Sequence, residues 1–194
     1  MERFIKILAF KLARKQAERI FSDDFKIAYY VFQGLIGDLL KIVITFTLAY
    51  FLDLLIPCII VVIIFISLRF MIGGYHSDSV DRCLIISVSL ILIASQITMV
   101  LYNNVEINYF RMIAVTIVFT ILNLTYSPKP LIRIKRKNKN KRKIISSLYI
   151  IFVCSLSLIL NKIITYAVFV GIATQLFTVT ESGSRLLKKI NEKI

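Results

Sequence analysis

The sequence predicts an all-α polytopic membrane protein, with about six transmembrane helices and an amphipathic interfacial helix ahead of them. Three observations carry this. Of 194 residues, 58% are hydrophobic and the mean hydropathy is +0.79, whereas soluble domains are roughly 45–50% apolar. The apolar residues run together in long stretches instead of alternating or dispersing. The charge is lopsided, 25 Lys+Arg against 11 Asp+Glu for a net +14, and the basic residues cluster between and outside those stretches. A soluble globular enzyme and a disordered tail protein are thereby excluded. Three scattered cysteines provide no framework for a disulfide-stapled secreted domain.

A bilayer core of about 30 Å requires about 20 apolar residues per helix, within a range of roughly 17–25. The predicted spans are Leu35–Leu52, Leu54–Phe70, Leu84–Leu101, Tyr109–Tyr126, Ile144–Leu160 and Ile163–Thr180. Many of their residues are β-branched, which in water would favour strands. In lipid only helices and closed barrels satisfy the backbone, and these runs lack a barrel's alternation. The chain is thus one membrane domain. Residues 1–34 form a basic arm, 35–127 carry four spans, 128–143 form a basic loop, 144–180 carry two spans and 181–194 form a tail.

In the arm, Ile5, Leu8, Ala9, Leu12, Ala13 and Ile20 fall on one side of a helical wheel, and Arg3, Lys11, Arg14, Lys15 and Glu18 on the other. Such a helix lies on a membrane surface or caps the bundle, and both readings stay open. Charges interrupt its apolar residues too often for the core of a signal peptide, so no cleavage is expected. At least nineteen of the 25 basic residues fall in the arm, the Lys129–Lys143 loop and the tail. Since cytoplasmic loops are enriched in Lys and Arg, all three segments are expected in the cytoplasm. The opposite side keeps only the Asp53 turn, the Asn103–Glu106 loop and the Asn161–Lys162 turn. The basic loop has no aromatic residue to stack on bases, so no nucleic-acid partner is expected. Holding orientation, binding anionic membrane lipid and attracting an acidic peptide all suit it.

The segment Arg69–Cys83 holds the chain's one histidine and two adjacent glycines. Gly73 and Gly74 should end the second span in a tight turn, and Asp78 or Ser79 should cap the third. Cys83 then lies about one turn inside that helix. A cysteine attacks as its thiolate, a form favoured by a nearby imidazole or a helix N-terminus, and Cys83 is offered both. Seven residues along a continuous helix would part His76 from Cys83 by about 10 Å, against the 3 Å or so that proton transfer needs. The Gly-Gly turn supplies the bend that brings His76 back. Asp78 or Asp81 would be the nearest group to orient the imidazole. Two other readings remain: a structural histidine near a chance cysteine, and a metal site of His76, Asp78, Asp81 and Cys83, although two carboxylates beside one thiolate suit zinc poorly. Cys58 and Cys154, within apolar runs, read as small buried hydrophobes.

Asp38 and Lys41, three residues apart on one helix face, are expected to pair; intramembrane charges also mark transport pathways, so a small membrane transporter or peptide exporter without proteolytic activity is the alternative function. Gln33, Gln96 and Gln175 either line a groove or join helices.

The Arg-x-x-x-Gly-Gly-Tyr-His segment from Arg69 to His76, with Cys83 seven residues on, resembles the accessory gene regulator B family of membrane endopeptidases, which process quorum-sensing propeptides in Gram-positive bacteria. Tyr126-Ser127-Pro128 opening a Lys-rich loop supports the likeness, as do length and the basic arm. The basic run here is longer and later than the family's Lys cluster, so that part of the carry-over rests on Lys129. The resemblance implies a cysteine endopeptidase with His76 and Cys83 as its dyad, needing no cofactor or metal. Its substrate would be a short amphipathic propeptide with an acidic C-terminal tail, converted through a Cys83 thioester to a cyclic thiolactone or lactone. Arg69 would contact that tail or a carboxylate in the bundle, or anchor the helix at the interface. A homodimer in the cell membrane, both termini cytoplasmic, is implied as well.

The orientation is directly testable. In a protein whose sole cysteine is introduced as Asn138→Cys, a membrane-impermeant maleimide should label only after the cells are opened. Labelling of intact cells would reverse the topology.

Overall fold

The computed structural model describes residues 2–17, 24–74, 80–127 and 136–193. These fold into α1 (Glu2–Ala17), α2 (Asp24–Phe51), α3 (Leu55–Ile72), α4 (Val80–Asn104), α5 (Tyr109–Tyr126), α6 (Arg136–Ser157), α7 (Lys162–Val179) and α8 (Glu181–Lys193). No strand occurs among the described residues, so the all-α polytopic class stands.

Among the described residues, five helices are long and apolar enough to cross a membrane: Phe32–Phe51 of α2, α3, Asp81–Asn104 of α4, α5 and α7. The sixth expected span, Ile144–Leu160, does not qualify. Its helix breaks at Ser157 into a turn over Leu158–Leu160. Upstream, α6 starts at Arg136, inside what reads in sequence as the basic loop. The contacts nonetheless run α6 through the full bundle. Asn123, near the end of α5, donates to Ser146 and Ser147 early in α6, at 2.8 and 2.9 Å. At the other end of α6, the Ser157 carbonyl accepts from the Thr165 hydroxyl of α7 at 2.7 Å. The helices α5, α6 and α7 therefore alternate in direction.

Two further differences concern the ends of the chain. Residues 24–34, read as arm, continue α2 towards the N-terminus, so this helix of 28 residues is about 42 Å long and exceeds the bilayer core. The tail is a helix, α8, with Leu187 buried and Leu186 and Ile190 exposed. In α1 the stripe Ile5, Ala9 and Ala13 is buried as the helix packs along α2. Leu8 and Leu12, expected on the same face, are exposed with Ile7 and Phe10. Small residues at every fourth position let α1 approach α2 closely, which turns the bulkier residues outward.

The bundle is organised around α7. Every residue from Thr165 to Ile172 is buried, and the helix packs on α3, α4, α5, α6 and α8. Association in lipid has no hydrophobic drive and relies on close packing and interhelical hydrogen bonds, favouring small residues four apart. Ala167 and Gly171 provide that spacing. A Cβ on Gly171 would sit 3.2 Å from Ile64 side-chain carbons and 3.5 Å from the Val61 Cα, so α3 and α7 meet nearly backbone to backbone. Hydroxyls within the spans are satisfied by donation to the carbonyl four residues back, as in Thr45, Ser67, Ser95 and Thr98. On the outer surface Phe110 is 81% and Phe70 80% exposed, an arrangement suited to lipid contact and costly in water.

At the end of the bundle remote from the glycine turn, charges neutralise one another. Lys162 lies 3.6 Å from Glu106 and 5.5 Å from the Tyr102 ring, and the Tyr166 hydroxyl donates to the Val105 carbonyl at 2.9 Å. Asp53, with φ of 56°, makes the tight turn expected between the first two spans.

Gly171→Leu should force α3 and α7 apart, an overpacking cost of about 1–3 kcal/mol. Thermal unfolding in detergent should show a midpoint several degrees lower. An unchanged midpoint would mean that the α3–α7 contact is looser than described.

Candidate functional site

The site lies where the C-terminus of α3, the N-terminus of α4, the C-terminal part of α7 and the start of α8 converge. Helix α3 ends at Ile72, and the Gly73 amide donates to the Arg69 carbonyl at 2.9 Å as the last helical bond. Gly73 has φ of 76° and Gly74 φ of 157°, values that side-chain-bearing residues rarely adopt. Space excludes a side chain at Gly74 too, since its Cβ would meet the Thr178 Oγ1 at 2.8 Å and the Gln175 Nε2 at 3.3 Å. The Gln175 amide donates to the Gly73 carbonyl. Helix α7 thus grips the turn before the chain enters the His76 segment.

Cys83 is the fourth residue of α4, one turn in, as the sequence predicts. Its side chain is 5% exposed, and its Sγ lies 4.0 Å from the Ser87 Oγ one turn further along. The thiol borders a small cavity of about 10 Å³, with Phe65, Arg69, Ser87, Thr178 and Leu187 among its walls. That is room for about one water molecule. The Arg69 guanidinium is 5.7 Å from the centre of the Phe65 ring, a cation–π distance. Asp81 is half-buried in the first turn of α4.

Of the residues singled out in the sequence, Arg69 and Cys83 share this cavity, and Gly73 and Gly74 form the turn beside it. His76, Asp78 and Lys129 lie outside the described residues; the first two are also members of the metal reading. Among the described residues no three His, Cys, Asp or Glu side chains gather as metal ligands. Asp38 and Lys41 pair as expected, at 2.8 Å. Of the three glutamines, Gln175 joins two helices. It is fully buried, and its Oε1 accepts no hydrogen bond from the described residues. Cys58 and Cys154 are buried in the apolar packing, in keeping with small hydrophobes.

Ser87 escaped the sequence reading although a signal existed, because four residues after Cys83 puts it on the same helical face. Thr178 and Leu187 come from elements about a hundred residues away, and no local pattern points to them.

With this geometry in place, comparison with known proteins is informative. The family model described as accessory gene regulator B matches residues 5–179. A curated relative, the accessory gene regulator protein B of Staphylococcus aureus (strain bovine RF122 / ET3-1), is 24% identical over 75% of this chain and 77% of its own. No solved structure matches. The family match runs from Ile5 in α1 to the last residue of α7 and takes in the whole glycine turn and Cys83, so the chain belongs to the accessory gene regulator B family.

Proposed function

We propose that the protein is a membrane cysteine endopeptidase acting in agr-type quorum sensing, which cuts a propeptide near its C-terminus with Cys83 as nucleophile and His76 as base. Family membership supports the quorum-sensing role. The single observation behind the chemistry is the placement of Cys83: one turn into α4, 5% exposed, in a pocket shared with Arg69 beside a turn that α7 holds in place.

In this reading His76 takes the thiol proton and the Cys83 sulfur attacks the scissile carbonyl carbon. A C–S bond forms and the C–N bond breaks, the imidazolium giving its proton to the departing amine. The product is a thioester on Cys83 and a free C-terminal tail. A thiol within the acyl part of the peptide then gives its proton to the neutral His76 and attacks the same carbonyl. The new C–S bond forms as the bond to Cys83 breaks, and the peptide departs as a thiolactone while the Cys83 thiolate recovers the proton from His76; a hydroxyl would give a lactone. The exchange of one thioester for another is nearly balanced in energy, whereas the first step trades a stable amide for a thioester and is uphill. Loss of the tail draws it forward. Water would hydrolyse the thioester unproductively, which gives the enclosure of Cys83 by Phe65, Thr178 and Leu187 a purpose. A basic inner face would concentrate an acidic tail near the site by long-range attraction, an effect that salt weakens.

With purified protein in lipid and its propeptide, a hydroxylamine-sensitive adduct should form and disappear in Cys83→Ala. Cleavage should fall at least about a thousandfold in that variant, and persistent cleavage would rule out Cys83 as the nucleophile. His76→Ala should lose about 10²–10⁴-fold, the contribution of a general base, with membrane insertion intact. Gly74→Val should also depress cleavage, because its Cβ would collide with Thr178; normal turnover would show that the turn need not keep its grip on α7.

A further inference from the structure

A second, much larger cavity lies between α2, α3 and α4, with a volume of about 400 Å³. That is within the range of roughly 300–1,000 Å³ typical of ligand sites. Its sides are apolar, with Ile42, Phe65, Ile66 and Ile91 among the lining residues, and the Asp38–Lys41 pair lies in its wall. Phe65, Arg69 and Ser87 line this cavity and the thiol's cavity alike. Among the described residues, these three side chains form a shared partition between the cavity at Cys83 and a space large enough for bulky side chains.

The charges limit what fits. Lys41, whose side chain is 20% exposed, is balanced by Asp38 at 2.8 Å, so the body of the cavity suits a neutral, apolar occupant. Arg69 stands at the partition, beside the thiol. Among the described lining residues the cations are Lys41, paired with Asp38, and Arg69 at the partition, so the body of the cavity offers an anionic lipid headgroup no further cation. A peptide instead sends neutral apolar side chains into such a space and presents its polar backbone at the partition. The two sides of a cut bond also differ in their needs. The leaving segment must depart, whereas the acyl segment stays bonded to Cys83 until it is displaced and must be held away from water.

We propose that this cavity is the acyl pocket of the enzyme, receiving one or two bulky apolar side chains of the peptide immediately before the bond that Cys83 cuts. The Asp38–Lys41 pair forms part of its wall, and Arg69 and Ser87 form its mouth beside the thiol. The inference rests on the peptidase reading of Cys83, and it adds a size and polarity rule for the substrate. Discrimination by such a pocket is worth about 10–200-fold between large and small apolar groups.

The test uses two peptidyl chloromethyl ketones that alkylate Cys83, one ending in Leu-Phe and the other in Ala-Ala, with the protein in lipid nanodiscs and the rates read by intact mass. The Leu-Phe reagent should react at least about tenfold faster. In Ile66→Trp, which fills the cavity, the ratio of the two rates should fall towards one. In Ile66→Ala, which enlarges it, a naphthylalanine reagent should gain on the Leu-Phe one. Equal rates in the wild-type protein, or a ratio unmoved by both substitutions, would overturn the acyl pocket and leave the cavity to a lipid chain. Failure of iodoacetamide to alkylate Cys83 at all would instead strike at the peptidase reading and take the pocket with it.

Discussion

The close contact between α3 and α7 is the constraint on which the rest of this protein depends. Lipid tails are as apolar as the helices, so burial alone does not hold spans together, and packing and hydrogen bonds must. Gly171 lets α7 settle against Ile64 and Val61, and Gln175 hydrogen-bonds the carbonyl that ends α3. The two helices run parallel and are tied at the same end. The direction in which the chain leaves α3 is therefore set by α7, and with it the place where α4 begins and Cys83 stands. The same end of α7 leads into α8, which lays Leu187 over the thiol's cavity.

The two ends of the bundle manage charge in opposite ways. At one, Glu106, Lys162 and Tyr102 associate, and few other charges are present. At the other, the Gly-Gly turn opens among segments rich in Lys and Arg. Between these ends, the Asp38–Lys41 pair is self-neutralising, which keeps the cavity beside the thiol compatible with apolar groups. Polarity is thus concentrated at the end that carries the glycine turn and withheld from the cavity beside it.

Five of the six expected spans were legible in the sequence to within a few residues because an apolar run long enough for a bilayer has few alternatives. Tyr109–Tyr126 agrees at both ends, and Leu54–Phe70 differs from α3 by one or two residues. Legibility failed where helices leave the membrane. There α2 begins eleven residues before the expected span, α6 eight residues before, and α8 replaces an expected tail. Polar helices of this kind carry no bilayer-length signal, and their stability comes from docking on neighbours. In the site, Cys83, Arg69 and the glycine turn stood out because rare residue types cluster there. Thr178, Leu187 and the role of Gln175 did not, since each acts through a partner distant in sequence.

By itself the sequence determined that this is a helical membrane protein, where the chain turns, and that Arg69, Gly73, Gly74 and Cys83 cluster at one turn. Those features follow from hydropathy, from glycine and from local spacing, all of which act over a few residues. Only the tertiary structure decided that α7 is the central helix, that Gln175 and Thr178 grip Gly73 and Gly74, and that a cavity of about 400 Å³ adjoins the thiol. The physical reason is that a buried contact in lipid depends on which faces of distant helices meet. Spans that are apolar on every side carry little periodicity to announce which faces those will be.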